Sequence, residues 1–162
     1  MSKKADERKC IVAVRVRGTI SAQREAKDTL DMLHLSNTNH AVLVDNRPAF
    51  IGMLRQAQAY VTWGEASPET VALMLQKRGR LAGNKKLTDE YAEKIGYKSL
   101  NALAEAIASC KVEHWKLPDM QPLFKLPPPT KGYKGKTKKS FHAGGEAGYR
   151  GEKINELVKR MV

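Results

Sequence analysis

The sequence predicts an α+β protein in which a small β-α-β-α-β unit precedes a helical segment, an extended basic C-terminal arm and a terminal helix. Three observations support this fold class. Strand-like and helix-like apolar patterns alternate in the first 65 residues. Helix-start and helix-stop signals follow up to residue 117. Five of the seven prolines and most of the excess positive charge then fall in the remainder of the chain.

The first part of the chain alternates strands and helices. Cys10–Arg17 has apolar residues on both faces of a predicted strand, and its second face ends in arginines. Ser21 is expected to cap a helix with one apolar stripe. His40–Asp45 is the second predicted strand, Pro48 occupies the first turn of the second helix, and Ala59–Gly64 is the third strand. Trp63 and Tyr60 on that strand are interpreted as core or interface residues.

The middle of the chain carries helix boundaries that can be assigned residue by residue. Ser67-Pro68-Glu69 combines a cap, a first-turn proline and a first-turn acid, and Lys77-Arg78-Gly79 closes the same helix. Thr88–Gly96 repeats this pattern over a shorter span, and Ser99 begins a third helix. We therefore expect a helical second half that packs on the sheet unit.

Prolines 118, 122, 127, 128 and 129 and six glycines between 132 and 151 interrupt regular structure in the arm. Such a segment is not expected to build a core of its own, and we expect residues 125–151 to be disordered in the free protein and to fold on a partner. Residues 152–162 regain helical spacing with one apolar face. The predicted organisation is 1–65 for the β-α-β-α-β core, 66–117 for the helical extension, 118–151 for the Pro/Gly/Lys-rich arm and 152–162 for an amphipathic helix.

Charge separates these parts further. The 162 residues have a formal net charge of +12 and a pI near 9.8. Residues 1–124 carry 19 basic and 14 acidic side chains, whereas residues 125–162 carry 10 and 3. Because like charges repel in the compact state, this excess indicates a polyanionic partner, and nucleic acid is the favoured one.

Few features of the sequence suggest catalysis or the binding of a cofactor. Gly135-Lys136-Thr137 lacks the glycine, strand and helix of a phosphate-binding loop, because Thr130 stands where the first glycine belongs. The four histidines never fall at metal-ligand spacing. Asp28 and Asp31 lie among basic residues and favour surface ion pairs. We predict no enzyme activity, no metal, no cofactor and no small-molecule substrate.

The cysteines and the apolar segments of the sequence indicate the cellular location. Cys10 and Cys110 are interpreted as reduced core residues of a cytoplasmic protein. No segment has the length and apolar character of a membrane span, and Met1–Lys9 lacks an apolar signal core. We therefore expect a soluble cytoplasmic protein with no membrane partner.

The candidate RNA-binding residues are cations and aromatic groups. Lysines bind phosphates and release counterions, and aromatic rings stack on unpaired bases. The alternatives are a solvated lysine run that serves solubility and, for the body arginines, ordinary surface ion pairing. The candidates are Arg15, Arg17, Arg24, Arg47, Arg55, Lys125, Lys131, Tyr133, Lys134, Lys136, Lys138, Lys139, His142 and Arg150, with Phe141 and Tyr149 as further stacking groups.

Four segments, Ile11–Arg17, Lys27–Leu33, Asn39–Val44 and Arg47–Met53, resemble ribosomal protein L thirty, the universal large-subunit family called L seven in eukaryotes. The Pro48-Ala49 and Gly52-Met53 pairs are the most specific part. Bacterial members stop near the position of residue 65, and eukaryotic members begin with a long basic extension. The resemblance therefore indicates an archaeal-type member and covers nearly the whole chain.

The resemblance implies a sheet with two helices on one face, related to ferredoxin-like folds. It implies a structural component of the large ribosomal subunit in the cytoplasm, held against 23S-type rRNA, near 5S rRNA and beside other ribosomal proteins, with no enzymatic activity. Pro48, Gly52 and Met53 are carried over as structural residues, Gly52 for a close approach. The alternative function is a free RNA-binding or RNA-chaperone module outside the ribosome.

Overall fold

The computed structural model describes residues 8–162 and contains, within them, a six-stranded sheet with helices on both faces. The predicted α+β fold class is confirmed. The strands are β1 (Cys10–Arg15), β2 (His40–Asp45), β3 (Val61–Glu65), β4 (Phe124–Lys125), β5 (Lys136–Ser140) and β6 (Gly145–Tyr149). The helices are α1 (Arg24–Met32), α2 (Pro48–Gln56), α3 (Pro68–Arg78), α4 (Asp89–Lys94), α5 (Leu100–Ala108) and α6 (Ile154–Met161).

The spatial strand order is β4-β2-β1-β3-β6-β5, with β1 at the centre of the original β-α-β-α-β unit. β1 is antiparallel to both β2 and β3, with Val14 opposite Ala41 on one side and Arg15 opposite Val61 on the other. All six residues of β1 and of β2 are buried. Burial on both faces favours apolar residues, which explains why Cys10–Val14 has no polar alternation, and the buried polar residues Arg15, His40 and Asp45 lie at the strand ends.

One face of the sheet packs on α1 and α2. Ile11 and Ala13 of β1 and Trp63 of β3 join Leu30 and Leu54 of these helices in one apolar cluster. The two helices on one face agree with the expectation from the family resemblance. Trp63 is confirmed as a core residue, and Tyr60 is half-buried against the same cluster.

The opposite face packs on the helical second half of the chain. Val12 and Val14 meet α3, α4 and α5 in a second cluster, which also contains α6. Four residues of α6, namely Ile154, Leu157, Val158 and Met161, are buried there. The expectation that the chain's last helix docks back on the body is therefore confirmed.

Helix boundaries set by local signals are mostly where the sequence predicts them. The Ser67 hydroxyl accepts a hydrogen bond from the Thr70 amide at the start of α3, and Ser99 accepts one from Ala102 at the start of α5. Pro48 is the first residue of α2. Each of these signals acts within one helical turn, so tertiary packing has little opportunity to override it.

Two local predictions are wrong. Ser21 does not cap α1, because its φ of 66° places it in a turn and the helix begins three residues later, at Arg24. Gly52 is not a close-approach glycine, because a Cβ built there would meet nothing within 4 Å. Gly64 takes that role instead, since a Cβ there would overlap the Gly151 carbonyl group.

The arm differs most from its sequence-based description. Three strands lie within it: β4 pairs antiparallel with β2, β6 pairs parallel with β3, and β5 lies outside β6. The glycine- and lysine-rich arm gains order by adding strands to an existing sheet rather than by forming a core. The expected disorder therefore does not extend to β6, three of whose residues are buried.

Candidate nucleic-acid interface

The sheet topology brings basic segments from distant parts of the chain to one end of the sheet. β1 stops there at Arg15 and β2 begins there at His40, which pairs with Lys125 at the end of β4. β3 and β6 are parallel and both begin there, so β5 lies at the same end. We call this region the basic end. The opposite end carries the acids Asp45 and Glu65.

The lysine strand β5, residues Lys136–Ser140, forms the outer edge of the basic end. Lys136, Lys138 and Lys139 are exposed. The strand pairs with β6 through Lys136 opposite Gly145 and Ser140 opposite Ala147, with an irregularity between these two pairs. Five residues of β5 therefore lie opposite three of β6. The exposed ammonium groups lie along one sheet edge rather than on a free coil.

A glycine makes this edge possible. A Cβ at Gly145 would overlap the backbone of Lys139, so only glycine lets β5 and β6 approach this closely. The turn between the strands also contains Gly144, whose φ of 83° lies in the left-handed region. The Gly135 amide donates a hydrogen bond of 2.8 Å to Glu146 Oε1, which fixes the start of the strand.

Two of the predicted RNA-binding arginines are interior residues. Arg150 is buried and donates to Glu146 Oε2 at 2.7 Å and to Thr62 Oγ1 at 2.7 Å. Arg15 is buried and donates to the carbonyl groups of Arg17 and Leu35 and to the Thr19 hydroxyl, each at 3.0 Å. Both guanidinium groups therefore form their hydrogen bonds within the protein.

The other body arginines have different surroundings. Arg17 is half-buried, with its guanidinium carbon 5.3 Å from the centroid of the Tyr60 ring. Arg24 is almost fully exposed and lies 3.8 Å from Asp28, which agrees with the predicted surface ion pairing. Arg55 is exposed at the end of α2. Arg47 lies at the opposite end of the sheet, where it pairs with Asp45 at 2.7 Å and with Glu113.

The predicted aromatic groups of the arm mostly have partners within the protein. Tyr133 is half-buried and donates to Asn39 Oδ1 at 2.7 Å, and burial raises the pKa of its hydroxyl to about 12. Phe141 lies against two cations, with Arg150 at 4.9 Å and Lys153 at 5.5 Å from the ring centroid. His142 is exposed and meets Phe141 edge-on. Tyr149 donates to Glu65 at the opposite end of the sheet, and this hydrogen bond raises the pKa of its hydroxyl to about 12.

The remaining candidates are exposed lysines of the arm. Lys125 ends β4 beside His40, and Lys134 lies just before the lysine strand. Lys131 has a φ of 66° in a turn closed by a hydrogen bond from the Gly132 amide to the Pro129 carbonyl. All three ammonium groups are therefore available to an external anion.

Residues 8–162 hold no group of three or more metal-ligating side chains. The two cysteines are free thiols, Cys10 buried and Cys110 half-buried, and burial raises the pKa of both. Raised thiol pKa values mean little thiolate at neutral pH, so neither cysteine is activated as a nucleophile. None of the helices in this part of the chain combines the length and apolar character that a membrane crossing requires.

Comparisons with known proteins show which family the chain belongs to. A family model described as ribosomal protein L30p/L7e matches residues 11–61. The chain is 47% identical over 152 residues to the large ribosomal subunit protein uL30 of Methanosphaera stadtmanae, covering 92% of this chain and 97% of that protein. It is 45% identical to uL30 of Thermofilum pendens, covering 93% and 97%, and 44% identical to uL30 of Methanopyrus kandleri, covering 91% and 100%. The chain belongs to the ribosomal protein L30p/L7e family.

Family membership confirms several predictions made from the sequence. The archaeal-type form is confirmed, since these archaeal relatives are matched over nearly their full length. The family consists of structural, non-enzymatic ribosomal proteins, which confirms the absence of a catalytic role. A large-subunit ribosomal protein acts in the cytoplasm, within the ribosome.

One exposed apolar side chain at the basic end is not among the residues that the sequence pattern indicates. Ile20, in the loop between β1 and α1, is 94% exposed. The only signal in the sequence is a lone isoleucine between Thr19 and Ser21 in a segment free of acids from Arg15 to Arg24. The contact between the Arg17 guanidinium and the Tyr60 ring likewise has no signal in the sequence.

Proposed function

We propose that this protein binds and stabilises folded 23S-type rRNA in the large ribosomal subunit, mainly through phosphate contacts made by the basic end. The observation that supports the proposal is the convergence of exposed cations from separate segments, among them Arg24, Lys125 and the three lysines of β5, on one end of the sheet. A rigid array of cations can match the fixed spacing of phosphates in folded RNA.

The interior arginines take a supporting role in this proposal. Arg15 and Arg150 position the backbone that carries exposed cations and do not themselves contact RNA. The proposed phosphate contacts come from Arg17, Arg24, Arg55, Lys125, Lys131, Lys134, Lys136, Lys138 and Lys139, with Tyr133 and His142 next to them. Arg47 is the least favoured of the sequence candidates, because two carboxylates already neutralise it.

The finer assignments belong to the same proposal. We infer a position near 5S rRNA and beside other large-subunit proteins from the family resemblance alone. We retain the division at residues 65, 117 and 151 as a description of roles, although β4 and β6 join the arm to the same sheet as the core.

Salt dependence tests the phosphate contacts directly. Affinity falls as salt rises, and each phosphate contact contributes roughly 0.7 to 0.9 to the steepness of log affinity against log salt. Replacing Lys136, Lys138 and Lys139 by Gln should therefore make this salt slope shallower by about 2 to 3. The matched control replaces Lys94, Lys98 and Lys111, three exposed lysines of the helical segment, by Gln. An equal loss of slope in both variants would mean that net charge alone drives binding, which contradicts the proposal.

Edge lysines have a second physical role, because charge on an edge strand prevents pairing with another sheet. If that were their only role, the β5 variant would self-associate and keep its salt slope.

The alternative function, a free RNA-binding or chaperone module, predicts sedimentation apart from large subunits at moderate salt and crosslinks to many unrelated RNAs. Co-sedimentation with large subunits and crosslinks confined to rRNA would support the ribosomal role.

A further inference from the structure

The loop between β1 and α1, residues 16–23, carries the most exposed large apolar side chain among the described residues. Ile20 is 94% exposed, against 62% for Met32 and 44% for Tyr149. An exposed isoleucine contributes nothing to the core, and its neighbours Thr19 and Ser21 show that polar residues suit this loop. Single exposed apolar side chains are common on protein surfaces. Ile20 differs from them in the turn that holds it and in the arginines that flank it.

The loop that presents Ile20 is held in place. The buried Arg15 side chain donates hydrogen bonds to Arg17 O and Thr19 Oγ1 within the loop, and to Leu35 O beyond α1. The Ala22 amide donates to the Thr19 carbonyl at 3.0 Å and closes a turn around the isoleucine. A buried guanidinium with three such partners fixes the backbone, so Ile20 is presented from a preformed turn.

The charges beside Ile20 favour one kind of partner. Arg17 precedes it, with its guanidinium steadied over the Tyr60 ring, and the exposed Arg24 follows it at the start of α1. No acidic residue lies between these two arginines. Glu25 and Asp28 come later on the helix, where Glu25 accepts a hydrogen bond from Gln56 and Asp28 faces Arg24.

We propose that this loop is an RNA-docking element in which Ile20 packs on the sugar and base edges of a shallow RNA groove while Arg17 and Arg24 bind the flanking phosphates. The inference rests on the proposed function and extends it, because apolar contact to a groove reads shape whereas lysine contacts to phosphates do not. The wide, shallow minor groove of A-form RNA admits a side chain of this size. Arg15 acts as a positioning residue for the loop.

Replacing Ile20 by Ser in the full-length protein tests the proposal. Binding to large-subunit rRNA should weaken roughly tenfold, as expected for the loss of a buried apolar contact, with an unchanged salt slope because no charge is removed. Thermal stability should stay the same, since the side chain makes no contribution to the core. The matched control is Met32→Ser, which removes an exposed apolar side chain at the far end of α1 from this loop and should leave affinity unchanged.

Two further variants separate positioning from contact. Arg24→Gln should reduce the salt slope by about one phosphate contact. Arg15→Lys keeps the charge but loses the three-way hydrogen bonding, so it should weaken binding and remove the loop's protection of RNA from hydroxyl radicals. It should also reduce the salt slope by up to the two phosphate contacts of Arg17 and Arg24, although it removes no charge. Folding of each variant is checked by circular dichroism, and the footprint is read on the folded fraction.

Several outcomes would overturn the inference. If Ile20→Ser binds rRNA with wild-type affinity and footprint, the loop does not dock on RNA. If it binds rRNA normally but fails to join subunits that contain the other ribosomal proteins, the partner of Ile20 is a protein. If the lysine-strand variant loses its salt slope while Ile20→Ser is unaffected, the proposed function stands and this inference fails. An unmodified protein that does not bind rRNA would defeat both.

Discussion

Arg150 and Glu146 form a buried ion pair four residues apart, in which Arg150 Nη2 lies 2.7 Å from Glu146 Oε2 and 2.6 Å from the Glu146 carbonyl oxygen. The same guanidinium donates through Nε to Thr62 Oγ1, 88 residues away, and the Thr62 hydroxyl donates to the Gly148 carbonyl. Glu146 also accepts from the Gly135 amide. One pair thus connects β3, β6 and the start of the lysine strand.

Breaking this pair should release the arm. Arg150→Met leaves the Glu146 carboxylate buried without its cation, and we expect a loss of about 3 kcal/mol in the free energy of unfolding. Combining it with Glu146→Gln should restore part of that loss, because the uncompensated charge is gone. Denaturant unfolding measures the stability, and amide exchange should become fast in β5 and β6 first. Unchanged exchange in these strands would contradict the role of the pair.

The ion pair also carries a pH dependence. Burial alone would raise the pKa of Glu146, but the Arg150 and Gly135 hydrogen bonds outweigh it and lower the pKa. A carboxyl group whose folded pKa lies below its unfolded value stabilises the protein above the unfolded pKa and loses that contribution as the pH falls. The Glu146→Gln variant should therefore lose less stability than the unmodified protein on acidification below about pH 4.

His114 should cause a second loss of stability on acidification, in a higher pH range than that of Glu146. It is buried, stacked 4.7 Å from the Phe124 ring, and neither ring nitrogen has a hydrogen-bond partner in the described part of the chain. Burial lowers its pKa from 6.5 to about 4. The unfolded chain therefore binds the proton first, and up to about 3 kcal/mol of stability is lost as the pH falls from 6.5 to about 4.

Replacing His114 by Leu should flatten the stability profile in this pH range. His40, whose pKa burial also lowers, should leave a smaller residual dependence of the same sign. His142→Gln is the control, because that side chain is exposed. Denaturant unfolding at several pH values measures the profile, and an unaltered acid loss in His114→Leu would show that this histidine is not its source.

Gly64 and Gly52 should respond oppositely to alanine. Gly64→Ala forces a methyl group into the Gly151 carbonyl and the Ile154 side chain, so we expect a loss of about 2 kcal/mol or more. Gly52 lies on an exposed part of α2 with open space around it, so Gly52→Ala should stabilise the helix by about 0.5 to 1 kcal/mol. Thermal unfolding of both variants checks this, and destabilisation by Gly52→Ala would restore the close-approach expectation.

The lysine strand offers a test of rigidity separate from charge. Gly145→Ala should push β5 away from β6 without changing any ionisable group. If a fixed edge matters for RNA, affinity should fall several-fold while the salt slope stays close to that of the unmodified protein. Equal affinity in the two proteins would mean that the lysines act as a flexible polycation. Gly132→Ala is unsuitable as a control, because the φ of 71° at Gly132 would strain an alanine for a reason unrelated to the packing of β5 on β6.

The sequence alone determined the features whose causes are local. Ser67 and Ser99 cap helices through hydrogen bonds that span three residues, and Pro48 starts α2, so these boundaries were predictable within a turn. The apolar runs in β1 and β2 predicted strands, and the structure shows that every residue of both strands is buried. The division of charge along the chain predicted a basic arm, and the motif around Pro48 predicted the family.

Only the tertiary structure decided what the arm does with its backbone. Residues 145–149 have too few apolar side chains to predict a strand. They nevertheless form one, because β3 provides backbone groups with which they pair. Thr62 of β3 also accepts a hydrogen bond from the buried Arg150 side chain. That partner lies 88 residues away, beyond the reach of any local pattern. The charge pattern offered Arg15 and Arg150 as RNA contacts, but both are interior residues. Arg150 is buried through this long-range pairing, whereas Arg15 donates to Arg17, Thr19 and Leu35, all within 20 residues of it. Ile20 is left exposed at the basic end. Charge is a property of composition, but its availability to a partner depends on burial, which the fold alone sets.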